Sequence, residues 1–477
     1  MPRKAKVLAA AALLPLSASC SFGGTPVVSD RERAHGAEQH PQLLAEFGGD
    51  YRGRQATYLA RVGSRIAAAA GLEGQCTFTL INTDVVNAFA VPGCYIYVTR
   101  GLMSLVNSED ELASVLGHEV GHIAGEHAEE QQRRARLRSF GVAAVAALTG
   151  SERLTRIAGS AAAFFTLRYS RKHEYEADEL GLRYLEQAGY DPFAATDMLT
   201  ALDRYQALLD GGSGVDEAKS IPEWALTHPY ARNRIVRVAD AAQDTGLKPR
   251  AEQELRYLRQ LDNLLYGDDP EQGFVLGRSF AHPLMRIAFV APPGFTLTNS
   301  PKAIYVDGPD GLRGEFSGGP LPPGGLPRYA QAIFEGLVGD AAVQGARAQD
   351  LVVNRLPAHV LQASVATQSG EMIISLAVYA ANPGSAYHFI MVSKPEPQNQ
   401  LAIAELFRSF HTLEAVEVAS LRPRMIDVVA VVKGDDLRSL AARMATDRPL
   451  DQFLVLNGRR RDAALRPGEL IKLVVWR

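Results

Sequence analysis

The chain has 477 residues and a formal net charge of −3, from 50 Lys and Arg against 53 Asp and Glu. That near-neutral balance excludes a generally basic nucleic-acid binder, and 22% charged with 47% hydrophobic residues excludes a disordered chain. Three cysteines exclude a disulfide-dense scaffold and any four-cysteine metal site, while the length suggests about three domains of about 150 residues each.

Residues 1–20 start basic, run apolar from Val7 to Leu16 and end in small residues before Cys20. This is the layout of a secretory signal, too short to span a bilayer as a stable helix. The small residues ahead of Cys20 resemble a bacterial lipoprotein cleavage box. That resemblance implies a lipid on Cys20, membrane contact through it, and a periplasmic, outer-membrane location. Residues 21–45 are polar and read as a tether.

From there the apolar spacing predicts a helix over 54–70, with Leu59, Val62, Ile66 and Ala69 on one face. Strands are expected at 76–82 and 94–99, the second offering an edge around 95–98 for an extended peptide. Cys76 and Cys94 sit at the starts of these strands; they either bridge or remain two thiols. A long helix is expected over 108–136, opened by a capping box of Ser108 and Glu111. Small-residue segments at 139–149 and 157–166 read as a packed pair. Helices follow at 171–188 and 192–209, then a glycine-rich loop at 211–215, and helix again over 231–265.

After 270, Pro and Gly become dense and strand-like runs appear at 286–290, 303–306, 351–353, 359–365, 372–379 and 386–392. Helices are expected at 328–337 and 397–409. The fold class is α+β throughout: a mainly helical domain with a small antiparallel sheet (46–267), an α+β accessory domain (271–416), and a small unit at 424–477. The scattered His282, His359, His388 and His411 lack ligand spacing and read as core or surface residues.

The strongest signal is His118-Glu119-Val120-Gly121-His122 on the expected long helix. Residues four apart share a helix face, so both imidazoles can reach one zinc ion, while Glu119 stands beside it, suited to take a proton from water. A catalytic zinc usually takes three protein ligands. His127 almost completes a metzincin pattern, but that pattern needs His at 128, which is Ala128. The alternative third ligand is Glu174, with Asp178 one turn on to accept the proton on the far nitrogen of a zinc-bound histidine.

These paired motifs, His118-Glu119-Val120-Gly121-His122 and Glu174-Tyr175-Glu176-Ala177-Asp178, resemble those of the prenyl-protease/HtpX-like gluzincin zinc metallopeptidases. That family includes the periplasmic chaperone-proteases of outer-membrane assembly. Asn87-Ala88-Phe89-Ala90-Val91-Pro92-Gly93 and Thr227-His228-Pro229 with Arg234-Ile235 are similar to further family motifs. The resemblance implies one zinc per chain on His118, His122 and Glu174, Glu119 as general base, and Asp178 behind the ligands. It implies that His228 and Arg234 stabilise the oxyanion or, at rest, cover the metal. It further implies polypeptide substrates, among them unfolded outer-membrane proteins. The family commonly has a histidine at the place of His127.

Residues 424–477 are similar to a LysM module of strand-helix-helix-strand order, with Asp436 in place of the usual Thr. Such modules bind peptidoglycan. The second reading of the whole chain is an envelope chaperone or peptidoglycan-binding scaffold whose zinc is resting or structural, with His228 as fourth ligand.

Overall fold

The computed structural model describes residues 28–131, 169–210, 228, 232–248, 254–339, 343–367 and 370–477. The expected signal segment with Cys20, the segments 139–149 and 157–166, the expected loop at 211–215, Thr227 and Pro229 lie outside the described residues. Among the described residues, no helix is long and apolar enough to cross a membrane.

The expected tether is in part a helix. α1 (Asp30–Glu46) starts at a capping box in which Ser29 and Glu32 satisfy each other's backbone N–H groups. Its Leu43, Leu44 and Phe47 pack on Ile81, Phe89, Val91 and Tyr97. The sparse apolar positions of α1 all fall near its C-terminal end, which is why the segment reads as polar.

α2 (Arg54–Ala69) buries Leu59, Val62 and Ile66 completely. β1 (Thr77–Ile81), β2 (Ala88–Val91) and β3 (Tyr95–Thr99) form one small sheet in the order β1-β3-β2. It is mixed, not antiparallel as expected: β1 runs parallel to β3, and β2 antiparallel to it. Among the described residues the strand at 95–99 is therefore the central one, and β2 stands at an edge. Cys76 and Cys94 form a disulfide, with Cα atoms 4.6 Å apart, that ties the starts of the two parallel neighbours.

α3 (Arg100–Leu105) leads to α4 (Glu109–Ala124), capped by Ser108, which accepts from Glu111 N. The Glu111 carboxylate reaches Asn107 N rather than Ser108. Buried Glu109 accepts from Tyr58 Oη, Arg61 and Tyr190 Oη, tying α4 to α2 and to the turn after α5 (Arg171–Gln187). α6 (Ala194–Asp210), α7 (Arg232–Asp244) and α8 (Glu254–Leu261) complete the helical layer; the expected helix over 231–265 is thus two helices.

β4 (Leu265–Tyr266) follows, and its partner is β16 (Arg424–Ala430) of the C-terminal segment. β16 pairs on its other side with β17 (Leu470–Trp476). Between these two strands lie α12 (Leu437–Ala441) and α13 (Pro449–Leu456). Ile426, Leu440, Phe453, Ile471 and Leu473 join the same buried cluster as Leu59, Ile66, Leu112 and Leu116. Lys472, fully buried, donates to the carbonyls of Ser104, Leu105 and Val106 at 2.7, 3.2 and 2.8 Å, closing the C-terminal end of α3. Residues 424–477 are therefore not a separate unit. They complete the core of the catalytic domain.

The segment between β4 and β16 is an insert. β5 (Phe274–Leu276), β6 (Ser279–His282), β7 (Ile287–Val290) and, from later in the chain, β15 (His411–Thr412) make a four-stranded sheet. β8 (Thr296–Asn299), β9 (Ile304–Asp307), β10 (Arg313–Pro320), β11 (Val343–Val353), β12 (Leu356–Thr367), β13 (Gly370–Asn382) and β14 (Ser385–Ser393) make a seven-stranded antiparallel one. α9 (Gly325–Val338) packs in one core with Ile374 and Val378; α10 (Pro397–Ser409) packs in another with Phe289, Phe316 and Phe389. α11 (Ala415–Ser420) leads back to β16. Buried His388 is held by Ser317 Oγ and Tyr329 Oη, and His359 by Asp350.

Candidate active site

α4 and α5 cross at nearly backbone contact, and glycines permit it. A Cβ at Gly121 would meet Ala177 O at 2.8 Å and Ala177 Cα at 3.1 Å; one at Gly117 would meet Gly181 O at 3.1 Å. This approach sets His118 and His122 on α4 against Glu174 and Asp178 on α5. His122 Nε2 lies 3.1 Å from His118 Nε2 and 3.5 Å from Glu174 Oε1. His228 Nδ1 reaches Glu174 Oε1 at 3.2 Å and His118 Nε2 at 3.3 Å. One ligand atom from each of His118, His122, Glu174 and His228 can be chosen so that all lie within 4.8 Å of one another, and all four residues are buried.

The surroundings suit a cation. Burial holds the His122 pKa well below the ordinary imidazole value, leaving a lone pair at neutral pH. Burial alone would raise the Glu174 carboxyl, but facing His228 and His118 carry it well below the usual range. At His118 burial is outweighed by Asp178 and Glu174, which draw its pKa up to about 9, so this ring sits in a field that favours positive charge. Neutral imidazole and ionised carboxylate are the forms that bind zinc. The donor set of two histidines and a glutamate is that of a catalytic zinc, and the residues fit the ion.

Glu119 is fully buried, and neither carboxylate oxygen has a hydrogen-bond partner. His228 Nε2 stands 3.6 Å from Oε1. Burial holds the Glu119 carboxyl above its usual range, which suits a group that takes and returns a proton.

Asp178 Oδ1 stands 3.0 Å from His118 Nδ1, as the motif spacing predicts. Arg234 differs from the expectation. Its Nε and one terminal nitrogen grip Asp178 at 2.8 and 2.6 Å, and the other donates to Glu174 Oε2 at 2.7 Å. With the fork bound to both carboxylates, Arg234 sits behind the ligands and positions them. An oxyanion contact from it would break a bidentate pair.

His127 lies outside the cluster of possible ligand atoms and meets His122 Nδ1 instead. α4 ends at Ala124, and Glu126 takes a left-handed φ of 54°, so the chain turns before helix resumes at His127. Sequence reasoning missed Tyr169, whose ring stacks on His122 at 3.9 Å, and His173, which stacks on His127 at 4.6 Å. It also missed Asn87, whose fully buried amide, at the entry to β2, has no hydrogen-bond partner. The only signals for these were proximity to the Glu174 motif and membership of the Asn87–Gly93 stretch.

Two histidines and a glutamate from crossing helices, with a carboxylate beside them, define a zinc metallopeptidase site. Residues 53–242 match the model of peptidase family M48. The β-barrel assembly-enhancing protease of Yersinia pestis is 31% identical over 257 residues, covering 52% of this chain and 51% of that protein. The putative β-barrel assembly-enhancing protease of Vibrio cholerae is 35% identical over 195 residues, 37% of each chain. Mitochondrial metalloendopeptidase OMA1 of Schizosaccharomyces pombe is 28% identical over 225 residues, covering 46% of this chain and 63% of that one. The chain thus spans about half or less of the length of the two bacterial relatives.

Proposed function

We propose that the protein is a zinc-dependent endopeptidase acting on polypeptides of the bacterial envelope, among them outer-membrane proteins that fail to assemble. The observation that carries the chemistry is the fully buried Glu119 carboxylate, without a hydrogen-bond partner, beside the four clustered ligand atoms. Zinc bound by His118, His122 and Glu174 would supply Lewis acidity toward the scissile carbonyl and toward water. Glu119 accepts the proton of the attacking water and returns it to the leaving amine. Asp178 holds the proton on His118 Nδ1, and Arg234 fixes Asp178 and Glu174 together. The β2 edge, with the Asn87 amide at its start, offers main-chain and side-chain partners to an extended substrate. The envelope setting rests on the signal-like start with Cys20 and on what the bacterial relatives are called.

The test is zinc quantification with a casein or unfolded-protein assay. Glu119→Gln is expected to keep about one zinc per chain and to lose cleavage by at least about 100-fold. Full activity in that variant overturns the reading.

A resting site is favoured by one observation: His228 stands where a fourth ligand would, 3.2 Å from Glu174 Oε1. If it covers the metal, His228→Ala raises proteolysis; if it stabilises the oxyanion, the same change lowers it. A peptidoglycan-binding role for 424–477 is tested by sedimentation of the full chain with purified sacculi.

A further inference from the structure

We propose that His127 is the positioning residue of His122: it accepts the proton on His122 Nδ1 and so keeps Nε2 free for the metal. The proposal rests on the zinc-peptidase reading above and adds a residue to it.

The two ring nitrogens of His122 have different surroundings. Nε2 faces His118 Nε2 and Glu174 Oε1 at 3.1 and 3.5 Å, so it is the nitrogen available to the ion. Nδ1 lies 2.9 Å from His127 Nδ1. Two imidazole nitrogens at that distance share one proton, because two lone pairs facing each other repel and two N–H groups collide. A lone pair on His122 Nε2 requires the proton of the neutral ring to be on Nδ1. His127 Nδ1 is therefore the acceptor, and the His127 proton sits on Nε2, which faces Glu176 Oε2 at 3.7 Å.

The backbone is built to deliver this contact. A residue five on from His122 would point away on a continuous helix, about 140° around the axis. The turn at Gly125 and Glu126 brings His127 back against the outer nitrogen. A Cβ at Gly125 would lie 2.5 Å from His127 Nε2, so the ring occupies that space. His173 then stacks flat on His127, with 10° between the planes, and its own Nε2 lies 2.9 Å from Glu130 Oε2. The two zinc histidines are thus backed differently: His118 by the Asp178 carboxylate, His122 by an imidazole held in a stack.

The test is the zinc dissociation constant of the full chain, measured by competition with a chromogenic chelator and without any protease assay. His127→Phe keeps a flat ring in the stack but has no acceptor; zinc affinity is expected to fall about 10- to 100-fold. His127→Asn retains an oxygen near the place of Nδ1 and is expected to stay within about threefold of wild type. Unchanged affinity in His127→Phe, or equal losses in both variants, overturns the proposal. Nitrogen-15 NMR of the zinc-loaded wild type gives an independent reading. A protonated His122 Nδ1 with an unprotonated His127 Nδ1 is expected, and the reverse overturns it. A wild-type chain that binds zinc but cleaves nothing would sink the peptidase reading and leave this one standing.

Discussion

The polar contacts behind the clustered site residues can be separated by single substitutions. Asp178 Oδ1 faces His118 Nδ1 at 3.0 Å and is itself held by Arg234. Asp178→Asn removes the charge but keeps the size, and zinc affinity is expected to fall about 10- to 100-fold in a chelator competition. Arg234→Lys replaces a fork with a point charge that cannot bind both Asp178 and Glu174, so it is expected to weaken zinc binding as well. If Arg234→Lys instead bound zinc normally and lost only turnover, Arg234 would belong with the oxyanion after all. The clustered residues were legible in the sequence because spacing of four puts His118 with His122, and Glu174 with Asp178, on single helix faces. Tyr169, His127 and His173 were not legible in role, because their contacts depend on a left-handed turn at Glu126 and on how a second helix is laid against the first.

At the scale of elements, the site exists because α4 and α5 touch through glycine. Gly121→Ala places a methyl against the backbone of Ala177, which cannot rotate away. The helices must part, at a cost of about 1–3 kcal/mol in stability, and zinc affinity should drop with it. Thermal melting and chelator competition of the same variant check both effects. The disulfide between Cys76 and Cys94 closes a loop with a sequence separation of 18, so Cys94→Ser is expected to lower stability by about 3 kcal/mol in denaturant titration. Most helices and strands were visible from their apolar period, as in α2, which buries one clear face, whereas α4 is buried nearly all round. The strand order was not. Whether 95–99 is central or at the edge depends on pairing between segments that carry no local mark of it, and α1 hides its few apolar contacts near its end.

The whole molecule is a discontinuous catalytic body with an insert. Tyr266 and Arg424 are register partners across β4 and β16, so the two ends of the insert leave from neighbouring strands, about 5 Å apart. Replacing 268–422 with a short glycine-rich turn is therefore expected to give a folded, zinc-binding protein, whereas truncation after 420 is not. Far-ultraviolet circular dichroism and zinc content of the two proteins distinguish them. Lys472→Met leaves three carbonyls at the end of α3 without their donor and is expected to cost about 1–3 kcal/mol. The linear reading of three successive domains missed this, because nothing in residues 424–477 alone shows what covers Ile426 and Ile471.

The late arrival of β17 has a consequence for the timing of synthesis. All the zinc-site residues are translated by Arg234, yet the core that supports α4 lacks Phe453, Ile471, Leu473 and the Lys472 ammonium until the ribosome has passed residue 473. A nascent chain therefore carries its cutting residues for half its length without the body that holds them in place. Zinc binding is therefore expected to appear only when synthesis of the chain is nearly finished.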